Sequence, residues 1–147
     1  MQVSSYLLNM TIQVQVVAPA NIYQLWDKIE PYFIAAEAEG TGDCTTSQLK
    51  LQLVSGTVVL LVAVDSEQII QGAASLSIQN QPNHRIAVIT AMGGKGIVDS
   101  EVFEQVVAWA KSQGATKIRA WAKDAQARLY RQKAGLNTTM NVVEKLI

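Results

Sequence analysis

The sequence predicts an α/β domain: a mixed sheet with helices on its faces. Three observations carry that prediction. Thr57 to Val64 is a nearly continuous apolar run rich in valine, a strand pattern. Val102, Phe103, Val106, Val107 and Ala110 share one face of a helix. Ile86 to Leu136 reads in order as strand, glycine loop, helix, strand and short helix.

From the amino end, Ile12, Val14 and Val16 alternate with Gln13 and Gln15, a strand signal. Pro19-Ala20-Asn21 stops that strand, and Asn21 can cap a helix. Ile22, Leu25, Trp26 and Ile29 then form an apolar helical stripe. Pro31 breaks the pattern and suits the first position of a second short helix, through about Glu39. After a loop at Gly40 to Asp43, a third helix is expected over Thr46 to Val54, ended by Gly56. Thr57 to Val64 and Ile69 to Gln79 make a hairpin around Asp65 to Gln68. A turn at Asn80 to Asn83 leads into the strand His84 to Ala91, and Met92 to Gly96 reads as a tight loop. A helix follows from about Asp99 to Gln113, then a strand from Thr116 to Ala122. A short helix over Asp124 to Ala134 ends at Gly135, and Thr138 to Ile147 reads as a last strand.

With 147 residues, the chain suits a single domain over 1–147 with a real core. Met10 is an alternative start, which would make residues 1–9 an N-terminal extension, and that stretch lacks the pattern of a signal peptide. Formal net charge is zero, so composition favours neither nucleic acid nor an anionic membrane as partner. The longest apolar run is far too short to span a bilayer. One cysteine excludes an intrachain disulfide and points to a reducing, cytoplasmic setting. One histidine and one cysteine cannot build a Cys/His zinc site, and no metal is expected.

The chemistry concentrates in Ile86 to Leu136. Unpaired N–H groups at a helix N-terminus bind phosphate, and glycines let a ligand approach the backbone. Gly93, Gly94 and Gly96 fit that use, with Lys95 adding charge. The plainer reading is a strand-to-helix turn capped by Asp99 or Ser100, and the acidic Asp99 and Glu101 would repel an anion there. Both readings stand at this level. Cys44 has only His84 as a conceivable partner and reads as a free loop cysteine. Trp26, Trp109 and Trp121 read as packing residues.

This element order, with a glycine loop before the longest helix, resembles the GNAT acyltransferase family. The family's C-terminal pattern is N-x-x-A-x-x-L-Y-x-K-x-G-F. Without gaps, Ala127, Lys133 and Gly135 match it, Asp124 stands at the Asn and Leu136 at the Phe. Tyr130 then falls at the Leu and Arg131 at the Tyr, whereas a second register keeps Leu129-Tyr130 as the Leu-Tyr pair. Gly93-Gly94-Lys95-Gly96, with Val107 to Lys111 in the helix behind it, is also similar to small phage and prophage GNAT-like proteins.

The resemblance implies a splayed sheet of about six strands, opening between the strands around Val88 and Ile118. It implies acetyl-CoA as acyl donor, with its pantetheine arm between Ala91 and Met92 on one side and Trp121 and Ala122 on the other. It assigns the pyrophosphate to Gly93, Gly94, Lys95 and Gly96, and places Asp124 where the family's Asn meets the pantetheine. The residues themselves favour Asp124 as a helix cap. Tyr130 is the candidate proton donor to the departing thiolate, and Arg131, which stays charged, would bind phosphate or stabilise charge. Glu37 and Glu39 are candidate bases, although a solvated surface is the simpler reading for each. The acceptor would be a small-molecule or peptide amine, and a homodimer is expected. The competing functional reading is a GNAT-shaped protein without catalysis, a phage-related structural or interaction protein.

Overall fold

The computed structural model describes residues 11–94, 97 and 99–147. β1 (Gln13–Val17), β2 (Val59–Val64), β3 (Ile70–Asn80), β4 (Arg85–Gly94) and β5 (Lys117–Ala120) lie in sequence order in one sheet. The first four strands pair antiparallel, and β4 pairs parallel with β5. The sheet is therefore mixed, as the sequence predicts, but among the described residues it has five strands where about six were expected. Thr138 to Ile147, read from sequence as a last strand, forms none. Every residue of that segment is exposed, so its apolar side chains pack on no face among the described residues.

Both sheet faces are covered, which explains the unbroken apolar run of β2. Leu60, Val62 and Val64, with Ala73 of β3, point toward α1 (Ile22–Ala38) and α2 (Thr46–Ser55). Leu61 and Ala63, with Ala74 and Leu76, point toward α3 (Ser100–Ser112). α4 (Asp124–Ala134) packs beside α3.

Ile22, Trp26, Ile29 and Phe33 are the buried stripe of α1. Pro31 does not start a second helix, because α1 runs through it. Its ring removes one backbone bond, but it lies on the exposed face, where the freed carbonyl can meet water. Ile29 and Phe33 on either side are fully buried and hold the helix to the sheet. Trp26 stacks on Phe33 with ring centroids 6.3 Å apart and donates from Nε1 to Glu30.

Helix entry differs from expectation in three places. Asn21 and Asp99 occupy N-cap positions without a side-chain cap bond. Asp124 is the first residue of α4 rather than its cap, the cap position being Lys123. There Asp124 still complements the helix dipole. The true capping box is at α2, where Thr45 accepts from Gln48 N–H and the Gln48 side chain accepts from Thr45 N–H. The edge strand β1 is held by Gln105 of α3, whose amide accepts from Val14 N–H and donates to Ile12 O.

Candidate functional site

The sheet opens where β4 outruns β5. Their pairing extends from Ile86↔Lys117 to Ile89↔Ala120 and then stops, while β4 continues to Gly94. Val88 and Ile118 are themselves still within the paired region, so the opening lies one to two residues beyond the sequence expectation. It begins at a β-bulge. Ser75 pairs with Ala91 and Leu76 with Ile89, so Thr90 has no partner on β3. Ala91 and Met92 line the β4 side of the opening, and Trp121 and Ala122 follow the last paired residue of β5. Trp121 is 43% exposed, unlike the other two tryptophans, so packing does not account for it.

Met92, Gly93 and Gly94 belong to β4 rather than to a loop. Gly94 pairs with Gly72, and Gly93 with Ala73. A methyl group on Gly93 would run into the backbone carbonyl of Tyr32 in α1. One on Gly94, whose φ is +103°, would lie 2.5 Å from Gln71 O and from Gly72 Cα. Tyr32 closes over this end and donates from its hydroxyl to Ile70 O at 2.9 Å. These two glycines therefore seat helix α1 on the strand ends. Lys95 and Gly96 lie outside the described residues, as do residues 1–9.

A cavity of about 90 Å³ lies between this end of β4 and helix α4. Met92, Gly93, Gly94 and Ile97 form one wall, and Gln126, Leu129 and Tyr130 the other. Gln126, Leu129 and Tyr130 stand at i, i+3 and i+4, one helical face. The Tyr130 hydroxyl has no hydrogen-bond partner among the described residues. Burial pushes its phenol up to about 12 from the ordinary 10.0. Arg131, about 100° further round the helix, is exposed and donates to Thr138 Oγ1 at 2.6 Å. So the structure brings Met92, Gly93, Gly94 and Tyr130 together, while Arg131 and Asp124 are not in the cavity wall.

Asp99, counted above as repelling an anion, meets Lys133 Nζ at 3.4 Å, so its charge is offset. Glu37 is no free base: it accepts hydrogen bonds from the backbone N–H and hydroxyl of Thr46 at the start of α2. The backbone bond, then the hydroxyl, holds its carboxyl below the ordinary range. Glu39 is exposed. Burial pushes the Cys44 thiol up, aided by Glu37 and Asp43, so it is a poorer nucleophile than a free cysteine. His84 instead meets Thr116 Oγ1 at 3.0 Å. Among the described residues no cluster of three or more His, Cys, Asp or Glu is placed to hold a metal. Nor is any described helix long and apolar enough to cross a membrane.

The bulge at Thr90 escapes sequence reasoning, because it is a property of strand pairing. Ser75, a hydroxyl within the apolar run Ala73 to Leu76, is the one sequence trace of it. Gln126 and Leu129 were legible by their helical spacing from Tyr130.

No protein family matches the sequence, and no curated protein matches it. Solved structures do match in shape. A predicted acetyltransferase with acetyl-CoA from Clostridium acetobutylicum is 18% identical, with TM-score 0.63 over 92% of this chain and 96% of the other. A ribosomal-protein-alanine N-acetyltransferase from Brucella melitensis is 10% identical, with TM-score 0.66 over 92% and 99%. An aminoglycoside N-acetyltransferase in complex with CoA is 9% identical, with TM-score 0.67 over 95% and 96%. The chain shares its fold with these acetyltransferases. At these identities the likeness is one of fold, and activity must be argued from the site.

Proposed function

We propose that the protein is an acyl-CoA dependent N-acyltransferase that transfers an acetyl group directly to an amine. The observation carrying this reading is that β4 loses its β5 partner after Ile89 but continues to Gly94. Backbone N–H and C=O groups left unpaired at the mouth of a sheet need partners. The two amides of a pantetheine arm have the right chemistry, between Ala91 and Met92 on one side and Trp121 and Ala122 on the other. Acetyl-CoA supplies the thioester, whose acyl carbon would form the new C–N bond as the C–S bond breaks, with the amine's proton passing to solvent and the departing thiolate taking one up from it.

The remaining roles belong to the chain. Tyr130 stays protonated far above neutrality and donates a hydrogen bond into the cavity. Complete proton transfer from a phenol near 12 to a thiolate near 8.5 is uphill by roughly 3.5 pK units, so hydrogen bonding to the departing sulfur is its better role. Lys95 and Gly96, with Gly93 and Gly94 leading to them, serve the pyrophosphate end. Asp124 and Arg131 lie outside the cavity wall, and Arg131, exposed and bonded to Thr138 Oγ1, would bind phosphate from there. The non-catalytic, phage-related reading gains no support from the fold. For self-association, the exposed Met140, Val142, Val143, Leu146 and Ile147 offer apolar surface, and a dimer mass in light scattering is the expected result.

Thermal melting with acetyl-CoA tests the coenzyme claim. At about 100 times the dissociation constant the native state gains about 2.7 kcal/mol, or roughly 5–10 °C for a chain of this size. An unchanged melting temperature at millimolar acetyl-CoA would sink the reading. Release of free thiol with a panel of amines then separates transfer from binding alone.

A further inference from the structure

Ser75 is fully buried, yet its hydroxyl lies 2.6 Å from Thr90 Oγ1 at the bulge. Thr90 Oγ1 also donates to Ser75 O at 3.2 Å. A hydroxyl has one proton. Either hydroxyl could donate across the 2.6 Å contact, but the buried Ser75 hydroxyl has no other acceptor among the described residues, so the arrangement that uses both protons has Ser75 donating to Thr90 and Thr90 to the Ser75 carbonyl. Thr90 Oγ1 therefore offers only its remaining lone pair, and Thr90 is exposed. In that arrangement the group standing where the sheet opens is a hydrogen-bond acceptor, suited to an incoming N–H.

The same sheet face carries a second group. Ala73 packs toward α1 and Ala74 toward α3, so Ser75, and Thr90 bonded to it, face the α1 side. Ile118 and Ala120 of β5 pack toward α3, so Arg119 between them faces the α1 side as well. Arg119 is half-buried and pairs across the sheet with Val88, two residues before Thr90. Its guanidinium has no hydrogen bond or ion pair among the described residues. A partly desolvated Arg without a partner favours an anion.

We propose that Thr90 and Arg119 form the acceptor subsite, and that the acceptor is a primary amine which also carries an anionic group. This rests on the acyltransferase reading and adds the substrate class to it. Thr90 takes the amine N–H beside the acyl carbon, and Arg119 takes the anion about two residues further into the sheet. A polyamine fits poorly, because it would set a second cation against Arg119.

The test is an NMR titration of the ¹⁵N-labelled protein saturated with CoA. The probes are 3-aminopropylphosphonate, n-propylamine and n-propylphosphonate. Expected is a saturable shift of the Thr90, Ala91 and Arg119 amides with 3-aminopropylphosphonate, and binding of n-propylamine at least about tenfold weaker. Thr90→Val should weaken 3-aminopropylphosphonate about tenfold without changing n-propylphosphonate, and Thr90→Ser should restore it. Arg119→Gln should erase the preference for the phosphonate-bearing amine. Unchanged Thr90 and Ala91 amides, or equal binding of the two amines, would overturn the proposal while normal CoA binding leaves the acyltransferase reading intact. Absence of any shift on adding CoA itself would remove both.

Discussion

Replacing Gly94 by Ala separates two explanations of the glycines at the end of β4. In a phosphate cradle, a methyl group would obstruct the ligand and leave the free protein almost unaffected. In the packed strand end seen here, it would meet Gln71 O and Gly72 Cα at 2.5 Å, both backbone atoms with no rotamer to yield. Overpacking of this kind costs about 1–3 kcal/mol. The φ of +103° adds to it, since a left-handed conformation costs a non-glycine residue about 1–2 kcal/mol. The expected loss is about 2–5 kcal/mol. Gly135→Ala is the control: its φ is +72° but nothing lies within 4 Å, so only the conformational cost of about 1–2 kcal/mol applies. Urea unfolding of the ligand-free protein measures both, and Gly94→Ala should be the less stable by about 1–3 kcal/mol. Equal stabilities, with acetyl-CoA affinity lost only in Gly94→Ala, would refute the packing argument and return these glycines to the ligand.

Two further expectations follow from titrating groups. Tyr130 is more easily protonated in the folded state, so its contribution is complete below pH 10 and is lost as pH rises toward its folded value of about 12. That loss is on the order of 3 kcal/mol, and Tyr130→Phe should remove both it and the phenolate absorbance rising near pH 12; an unchanged absorbance titration would contradict the buried placement. Glu37 has the opposite sign. Its lowered pKa stabilises the fold above the ordinary value of 4.5, and that stabilisation disappears as pH falls through the folded value. Glu37→Gln should therefore flatten the acid limb of a stability–pH curve, and an unaltered limb would show that the Thr46 contacts contribute nothing.

The sequence by itself determined the type of each element from β1 to α4, because each carries a periodicity that a covered sheet requires, but it read a strand over Thr138 to Ile147 that does not form. The valine run of β2 needs both faces buried, and the Val102 to Ala110 stripe needs a sheet to lie on. It also narrowed the site to the stretch from Ile86 to Leu136, where a strand end, a helix and a short second helix converge. Tertiary structure decided what local pattern cannot carry. Pro31 stays helical because the buried side chains on either side hold α1 down. Gly93 and Gly94 are strand residues because Tyr32 and Gly72 come from other elements to meet them. Between the two possible alignments of the last helix, the fold turns Tyr130 into the cavity and Arg131 toward Thr138, a rotation set where α4 packs beside α3. The bulge at Thr90 is the clearest case. It exists only in the pairing of β4 with β3, a one-residue slip in register whose single trace in the sequence is Ser75 within an apolar run.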